Sequence, residues 1–345
     1  MSDRWKRRPD GSNWGEFGPD DQKGRLNFLT PDRVKAGIAE VKEGKVFSLS
    51  LPLDRPGKSP HPARHAPRIA ATIRNGQAGY NFPLSSVDAD FYDIVSDDVA
   101  LIHTQFSTQW DSFAHWGAKF DADGDGKAEP VYYNGWRAGA DVRDPTANEP
   151  ANGWERFPGV AAKALGIEHM AESGAQGRGV MFDLHARFGR ARKLVGYDDI
   201  MRICDADKVG VEKGDMVCLH TGFDDVILEM GAETDTEALH HACPVLDGRD
   251  QNLLKWITDS GMACLIADNF AVEAYPARPA TGARAALPLH EHCLFKLGVH
   301  LGELWHLGPL AAYLREHGRN RFLLTAPPLN LPGAVGSPVT PVATV

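Results

Sequence analysis

The sequence predicts an α/β fold, and two observations support that prediction. Three short apolar segments rich in Val, Leu and Met, each long enough for one buried strand, occur at residues 179–184, 215–220 and 262–267. Segments with helical spacing lie between them, at residues 197–206 and 252–260. Strands that alternate with helices build a sheet against which the helices pack, so this order of elements favours α/β architecture.

The N-terminal region adds three elements in order. Residues 30–44 are predicted to form a helix, since Thr30 can cap it, Pro31 suits its first turn and a glycine closes it. Residues 47–53 alternate apolar and polar side chains, which is typical of a strand with one buried face. The proline-rich residues 55–68 are predicted to form an irregular surface loop, and such loops often cover sites.

Two later segments complete the outline. Residues 159–172 are predicted to form a helix, and residues 290–297 to begin another helix or turn. No internal repeat or low-complexity linker divides the chain. Its length of 345 residues is ample for a hydrophobic core and fits one large domain or two.

Composition and charge narrow the class of partner. Hydrophobic residues make up 43% of the chain and charged residues 24%, which are ordinary globular values. With 37 Lys and Arg against 46 Asp and Glu, the formal net charge is −9, which repels a phosphate backbone. Nucleic acid is therefore not an expected partner. The basic cluster Arg4, Lys6, Arg7 and Arg8 is predicted to be a solvated arm.

Apolar runs and cysteines indicate the compartment. No apolar run approaches the roughly 20 residues that a membrane span needs, and the first residues lack the apolar stretch of a signal peptide. The sequence predicts a cytoplasmic protein without a membrane partner. The cysteines are odd in number and lie in apolar surroundings, which predicts buried, reduced thiols. They are Cys204, Cys218, Cys243, Cys264 and Cys293.

An Asp and a His four positions apart, Asp111 and His115, form the most informative local pattern. Their side chains converge on one ion only if a turn or a strand-to-helix bend follows the Asp. A metal site is one interpretation, and an ordinary hydrogen-bonded pair at the end of an element is the other. Large aromatic residues around the pair either belong to the core or line an apolar pocket. They are Trp110, Phe113, Trp116 and Trp136.

Residues 105–115 resemble the signature His-x-Gly-Thr-His-x-Asp-x-Pro-x-His of the cyclase family of metal-dependent hydrolases, which includes bacterial kynurenine formamidase and isatin hydrolase. Thr108, Asp111 and His115 match that signature, whereas Gln105 and Gln109 stand at its first two His positions. The chain is similar to the longer branch of the family, in which the first His is often Gln. Further landmarks follow in the family's order at residues 27–31, 47–54, 132–135, 179–183, 213–222, 267–273, 302–305, 326–329 and 336–338.

The resemblance implies an architecture that composition alone does not. It implies one domain over residues 1–345, with a mixed β-sheet that closes toward a barrel and helices packed outside, of the swivelling β/β/α type. Residues 1–30 would be an N-terminal arm, and residues 326–345 a C-terminal tail that packs on the domain. It also implies a homo-oligomer, either a homodimer or a homotetramer.

The resemblance also implies a metal site made from both halves of the chain. Asp111 and His115 would join His290 and Glu303, and the spacing to Glu303 favours His290 over the nearby His292 and His300. Gln109 stands where relatives carry a His ligand. A neutral amide oxygen is a poor ligand for Zn²⁺, so one Zn²⁺ or Mn²⁺ ion is expected rather than a pair.

The expected activity is hydrolysis of an amide, imide or lactone bond by metal-activated water. The catalytic candidates are His115, His290 and Glu303, and the small substrate is expected to be aromatic or cyclic. The candidate substrate contacts are Trp110, Phe113, Trp116, Tyr133 and Asn134. The alternative is a non-catalytic member of the same fold that binds an aromatic acid.

A second acidic pattern has the opening of a calcium loop. Asp121, Asp123 and Asp125 take the first, third and fifth positions, with glycine at the sixth. Tyr132 takes the twelfth position, where a bidentate Glu is required. The missing ligand favours a tight acidic turn, and a weak structural Ca²⁺ site is the alternative.

Overall fold

The protein is built around one mixed central sheet. A computed structural model describes residues 4–146 and 159–345. Within those residues the sheet has nine strands and curls into a half-barrel. In chain order its strands are β1 (Val46–Ser48), β2 (Gln109–Asp111), β3 (Gln176–Asp183), β4 (Met216–His220), β5 (Cys264–Ala267), β6 (His300–Glu303), β7 (Arg321–Thr325), β8 (Gly336–Pro338) and β9 (Val342–Thr344).

The strand order across the sheet is β1-β9-β7-β3-β4-β5-β6-β2-β8. Strands β3 to β6 are parallel, and the flanking pairs are antiparallel. Strands from the beginning of the chain therefore pair with strands from its end. In particular, β2 lies between β6 and β8, so the segment that carries Asp111 is held on both sides by the C-terminal part of the chain.

The sheet is buried on both faces, which explains the continuous apolar runs in its strands. In β4, Val217 and Leu219 belong to one core cluster. Met216 and Cys218 alternate with them and belong to another. Successive side chains of a strand point to opposite faces, so the two clusters lie on opposite sides of the sheet.

Helices connect the strands. They are α1 (Pro31–Ile38), α2 (Glu168–Ser173), α3 (Leu184–Phe188), α4 (Tyr197–Asp207), α5 (Phe223–Met230), α6 (Thr236–His240), α7 (Gln251–Ser260), α8 (Pro288–His290) and α9 (Gly308–Glu316). Asp235 and Asp250 cap α6 and α7 by accepting backbone N–H groups of the first turn. A π-helical segment, Glu291–Leu297, continues α8.

The predicted α/β class is confirmed, and so are its buried strands and two of its helices. Strands β3, β4 and β5 occupy the three apolar runs, and α4 and α7 occupy the two segments between them. These segments have strong local patterns, so their elements follow from local sequence.

The predicted N-terminal helix is too long. Thr30 and Pro31 take the cap and first positions as expected, but α1 ends at Ile38. Beyond it, the N–H groups of Glu43 and Gly44 bond to the carbonyl of Val345. Residues 43 and 44 therefore bond across the fold instead of extending the helix. The strand expected at residues 47–53 is also shorter, since β1 ends at Ser48.

The helix predicted over residues 159–172 is wrong in its first half. Gly159–Ala162 forms a strand antiparallel to Val142–Thr146, and only Glu168–Ser173 is helical. The strand is fixed by pairing with a distant segment, which helical spacing in the local sequence cannot reveal.

The loop expected at residues 55–68 is present, with Arg68 already in a strand. It leads into a series of two-stranded pairs that reaches Leu101, with many exposed side chains. The paired strands there are Arg68–Ala71 with Asp98–Leu101, Ile73–Arg74 with Gln77–Ala78, and Phe82–Pro83 with Ile94–Val95. Two further pairs elsewhere are Ala118–Phe120 with Glu129–Val131 and Lys193–Val195 with Pro244–Leu246.

The basic N-terminal cluster is not simply a solvated arm, which corrects that prediction. The guanidinium of Arg4 lies 3.7 Å above the centre of the Trp136 ring, and Arg7 pairs with Asp121 at 2.7 Å. Trp14 is fully buried, and its Nε1 donates to the carbonyl of Phe295 at 2.8 Å. Aromatic packing therefore fixes this segment against the rest of the protein.

The cysteines agree with their prediction. All five thiols are free, and all but the half-buried Cys204 are buried. Among the described residues, no helix is both long and apolar enough to cross a bilayer.

Candidate metal centre

The candidate centre forms where β2, β6 and α8 meet. Antiparallel pairing places Gln109 opposite Glu303 and Asp111 opposite Leu301. His290, the last residue of α8, faces the same space. One ligand atom each from Asp111, His290 and Glu303 lies within 4.8 Å of the other two, and all three residues are buried. The sheet thus unites residues that are far apart in sequence.

Glu303 is held by two neighbours. His290 Nε2 lies 3.4 Å from Glu303 Oε1, and Gln109 Nε2 donates to Glu303 Oε2 at 3.1 Å. Burial works against the ionised form of Glu303, but the hydrogen bond and charge of His290 outweigh burial and hold the pKa of Glu303 below its ordinary value. Glu303 is therefore a carboxylate at neutral pH.

Glu273 fixes His290 from the other side of its ring. Glu273 Oε1 lies 3.0 Å from His290 Nδ1 and accepts the backbone N–H of His290 at 2.9 Å. Burial opposes protonation of His290, but hydrogen bonds with Glu273 and Glu303 outweigh it and raise its pKa to about 10. A carboxylate behind Nδ1 leaves Nε2 as the ligand atom, which is the usual arrangement of a metal-bound histidine.

Asp111 is the carboxylate of the site that lacks hydrogen-bond partners. Both of its carboxylate oxygens are buried without a hydrogen-bond partner, and so is Oε1 of Gln109. Burial, followed by repulsion from Glu303, raises the pKa of Asp111 to about 8. A buried carboxylate without a partner is costly, and a cation shared with Glu303 and His290 removes that cost. The residues present therefore fit a divalent ion.

His115 lies beside this group but outside it. The backbone turns after β2, with the N–H of His115 bonded to the carbonyl of Ser112, which is the bend that the four-residue spacing requires. His115 Nε2 lies 4.0 Å from Asp111 Oδ1. Burial lowers the pKa of His115 to about 3, so its imidazole is neutral at physiological pH. It is placed as a neighbour of the ligand set.

The predicted aromatic contacts do not all face the candidate centre. The Trp116 ring lies 5.2 Å from the ring of His290. Phe113 is fully buried and stacks on His300 with ring centroids 4.0 Å apart. Trp110 points to the other face of the sheet, where it packs against Trp305. Of these side chains, only Trp116 is both beside the ligand set and partly exposed.

Tyr133 and Asn134 have structural partners, which corrects their interpretation as substrate contacts. The amide of Asn134 donates to the carbonyls of Gly18 and Pro19 at 3.0 Å each. The hydroxyl of Tyr133 donates to Asp21 at 3.4 Å. Both residues are fully buried and hold the N-terminal segment.

Sequence reasoning assigned no role to three residues near the centre. Glu273 supports His290, as described above. His300 Nδ1 lies 2.8 Å from the carbonyl oxygen of Asp111, which fixes the end of β2. Arg64, on the proline-rich loop, donates to the carbonyl of Gln105 at 3.0 Å and brings a positive charge to the site. The sequence predicted that this loop could cover a site, but it did not single out Arg64.

The acidic loop gathers four carboxylates rather than three. Ligand oxygens of Asp121, Asp123, Asp125 and Glu129 lie within 4.8 Å of one another. Asp121 accepts the N–H groups of Gly124 and Gly126 and pairs with Arg7. Glu129 pairs with Arg137. Arginines and backbone groups therefore already neutralise part of this cluster.

Comparison with known proteins decides the family. The cyclase family model matches residues 47–274, about two thirds of the chain. The chain belongs to the cyclase family. The matched region includes Asp111, His115 and Glu273, whereas His290 and Glu303 lie beyond it.

Solved structures agree with that assignment. A crystal structure described as a novel cyclase is 29% identical to this cyclase-family chain, with a TM-score of 0.73 and coverage of 97% of both chains. Isatin hydrolase A from Ralstonia solanacearum is 15% identical, with a TM-score of 0.53 and coverage of 91% of this chain and 97% of that one.

An isatin hydrolase bound to the product analogue thioisatinate is 13% identical, with a TM-score of 0.52 and coverage of 92% and 99%. At such identities the two isatin hydrolases share only the fold with this chain. No curated protein sequence matches it.

Proposed function

We propose that this cyclase-family protein is a divalent-metal-dependent hydrolase that opens an amide, imide or lactone bond of a small aromatic or cyclic substrate. The observation that carries the proposal is the buried carboxylate of Asp111, whose two oxygens lack partners beside Glu303 and His290. Family membership and the shared fold support an enzyme of this type.

Four residues would hold the ion. They offer carboxylate oxygens of Asp111 and Glu303, Nε2 of His290 and the unpaired Oε1 of Gln109. A mixed set with one imidazole and several oxygens suits Zn²⁺ or Mn²⁺. When bound, such an ion polarises a carbonyl and lowers the pKa of a coordinated water.

The proton-transfer role belongs to His115. Its side chain is 19% exposed, and its Nε2 is 4.0 Å from Asp111. A neutral imidazole that reaches the solvent side of the site can accept a proton from water and deliver it to the leaving group. His290 cannot serve in this way, since Glu273 and Glu303 engage both of its nitrogens.

Trp116 supports an aromatic or cyclic substrate. Its ring lies beside His290 and is partly exposed, so it offers a flat apolar wall next to the ligand set. Arg64 reaches the same motif from the loop and favours a substrate or product with negative charge.

The test is Asp111→Ala in the full-length protein. Metal content is measured by mass spectrometry, and hydrolysis is followed on an N-formylaniline, a cyclic imide and an aryl lactone. We expect loss of the ion and a fall in turnover of several orders of magnitude, because the metal supplies both activation steps. Asp259→Ala is the control, since Asp259 is exposed and pairs with Lys255 in the same helix. Unchanged metal content and rate in Asp111→Ala would refute the site.

The alternative function is binding without turnover. The observation in its favour is Gln109, which stands at a ligand position and donates its amide to Glu303 rather than offering an imidazole. Metal-free wild-type protein that binds an aromatic acid and hydrolyses none of the three substrates would support this alternative.

A further inference from the structure

A second buried cluster lies at the carboxyl ends of the parallel strands. Asp183 ends β3, His220 ends β4 and Asp268 directly follows β5. Asp224, in the first turn of α5, completes the group. One ligand atom each from His220, Asp224 and Asp268 lies within 4.8 Å of the other two. The hydrolase proposal uses none of these residues.

His220 is oriented in the same way as His290. Its Nδ1 lies 2.9 Å from Asp183 Oδ1, and Arg315 pairs with the other oxygen of Asp183. This contact leaves Nε2 directed into the cluster, where it is buried and has no hydrogen-bond partner. His220 is only 3% exposed. A carboxylate behind one imidazole nitrogen and a free nitrogen in front is the arrangement of metal-bound histidines.

Asp224 presents one free oxygen to that nitrogen. Its Oδ2 accepts from His306 Nδ1 at 2.9 Å and from the N–H of Gly308 at 2.8 Å. Its Oδ1 is fully buried, has no partner and lies 3.8 Å from His220 Nε2. That separation is too long for a hydrogen bond. Two ligands at about 2.1 Å from one tetrahedral ion lie about 3.4 Å apart, so a small ion fits between them.

Asp268 is the third residue of the cluster, after His220 and Asp224. Its oxygens accept the N–H groups of Thr221, Gly222 and Phe223, at the start of α5. The hydroxyl of Thr221 donates to Oδ1 as well. These contacts fix the carboxylate, with one oxygen within 4.8 Å of the other two ligand atoms. Burial opposes protonation of His220, but the hydrogen bond with Asp183 and the charges of Asp268, Asp183 and Asp224 raise its pKa to about 9. The carboxylates therefore favour a positive charge at this point.

We propose that His220 Nε2, Asp224 Oδ1 and an oxygen of Asp268 form a second divalent-cation site, structural in role, that takes Zn²⁺ or a similar transition-metal ion. An imidazole with two carboxylates suits such an ion better than Ca²⁺ or Mg²⁺. The ion would tie the ends of β4 and β5 to α5. This site is independent of the proposed hydrolase centre.

The experiment uses full-length Asp111→Asn, which disables the first centre, stripped with chelator and titrated with Zn²⁺ in a calorimeter. We expect one tightly bound equivalent. Absence of tight binding overturns the proposal. Asp111→Asn changes no residue of the second cluster. The titration therefore tests the proposal even if substitutions within the cluster prevent folding.

A second arm assigns the bound ion. Asp111→Asn with His220→Gln should bind no Zn²⁺ tightly, whereas Asp111→Asn with His292→Gln should retain the equivalent. His292 is a matched control because it is half-buried, belongs to neither cluster and contacts Thr258 at 2.9 Å. Retention of the ion in the His220 variant overturns the assignment. If wild type binds one more equivalent of Zn²⁺ than Asp111→Asn does, that difference reports on the hydrolase centre. The proposed hydrolase centre and the proposed second site can therefore fail independently.

Discussion

Glu273 holds His290 through two contacts at once, one to the imidazole Nδ1 at 3.0 Å and one to the backbone N–H at 2.9 Å. The same carboxylate accepts the N–H of Leu289 through its other oxygen at 3.1 Å. The side chain and the backbone of His290 are therefore fixed together, and the direction of Nε2 depends on a residue outside the candidate ligand set.

We expect Glu273→Gln to weaken metal binding by about 10–100-fold, because a neutral amide makes the imidazole less basic and orients it less firmly. Competition with a chromophoric chelator measures the change. Glu291→Gln is the matched control, since Glu291 pairs with Lys296 at the surface of the same helical segment. Equal affinities in the two variants would show that Glu273 is only a capping residue.

Asp111 should make the ion-free protein less stable as the pH rises. Burial raises its folded pKa from 3.8 to about 8, so between these values the folded protein holds a proton that the unfolded chain has lost. Its contribution to stability is complete below about pH 4 and is lost as the pH rises toward 8.

Asparagine is neutral throughout this range. In chelator, the melting temperature of Asp111→Asn relative to wild type should therefore rise between pH 5 and pH 8. Zn²⁺ should restore the wild type alone. Parallel melting curves for the two stripped proteins would contradict the buried, unpaired state of Asp111.

Gln109→His should raise metal affinity or stoichiometry. Gln109 faces Glu303 across β2 and β6, and imidazole is a better ligand for Zn²⁺ than an amide oxygen. Metal content and calorimetry measure the change, with Gln105→His as a companion at the other motif position. An unchanged ion content accompanied by a higher KM would instead assign Gln109 to substrate binding.

The acidic loop should bind Ca²⁺ no more tightly than about millimolar, because Arg7 and Arg137 already pair with two of its carboxylates and the twelfth-position ligand is missing. Calorimetry with stripped protein tests this expectation. Micromolar binding that Asp123→Ala abolishes would establish a genuine calcium site. The absence of heat would leave an acidic turn.

The sequence anticipated the parts of the site that sit in recognisable local patterns. Asp111 and His115 share one short motif, and the family resemblance, through the interval to Glu303, favoured His290 among three neighbouring histidines. The structure brings Asp111, His290 and Glu303 together and leaves His115 beside them. Their convergence depends on β2 pairing with β6, which no local pattern encodes.

Local sequence could not reveal contacts between residues that are distant in the chain. Glu273 is 17 residues from His290, and nothing around it distinguishes a supporting carboxylate from an exposed one. Tyr133 and Asn134 looked available for a substrate because their partners, Asp21 and Gly18, lie more than 100 residues earlier. Strand Gly159–Ala162 was likewise set by a distant partner strand.

The strand order has a consequence for synthesis on the ribosome. Strand β2 gains its two neighbours only when β6 and β8 have been translated, roughly 190 and 225 residues after Asp111. Until then the growing chain has the motif segment but no sheet around it, and pairings between such remote segments form slowly. The carboxylate of Asp111 is thus placed among the last steps of folding, and the candidate metal centre is completed only after β6 has been synthesised.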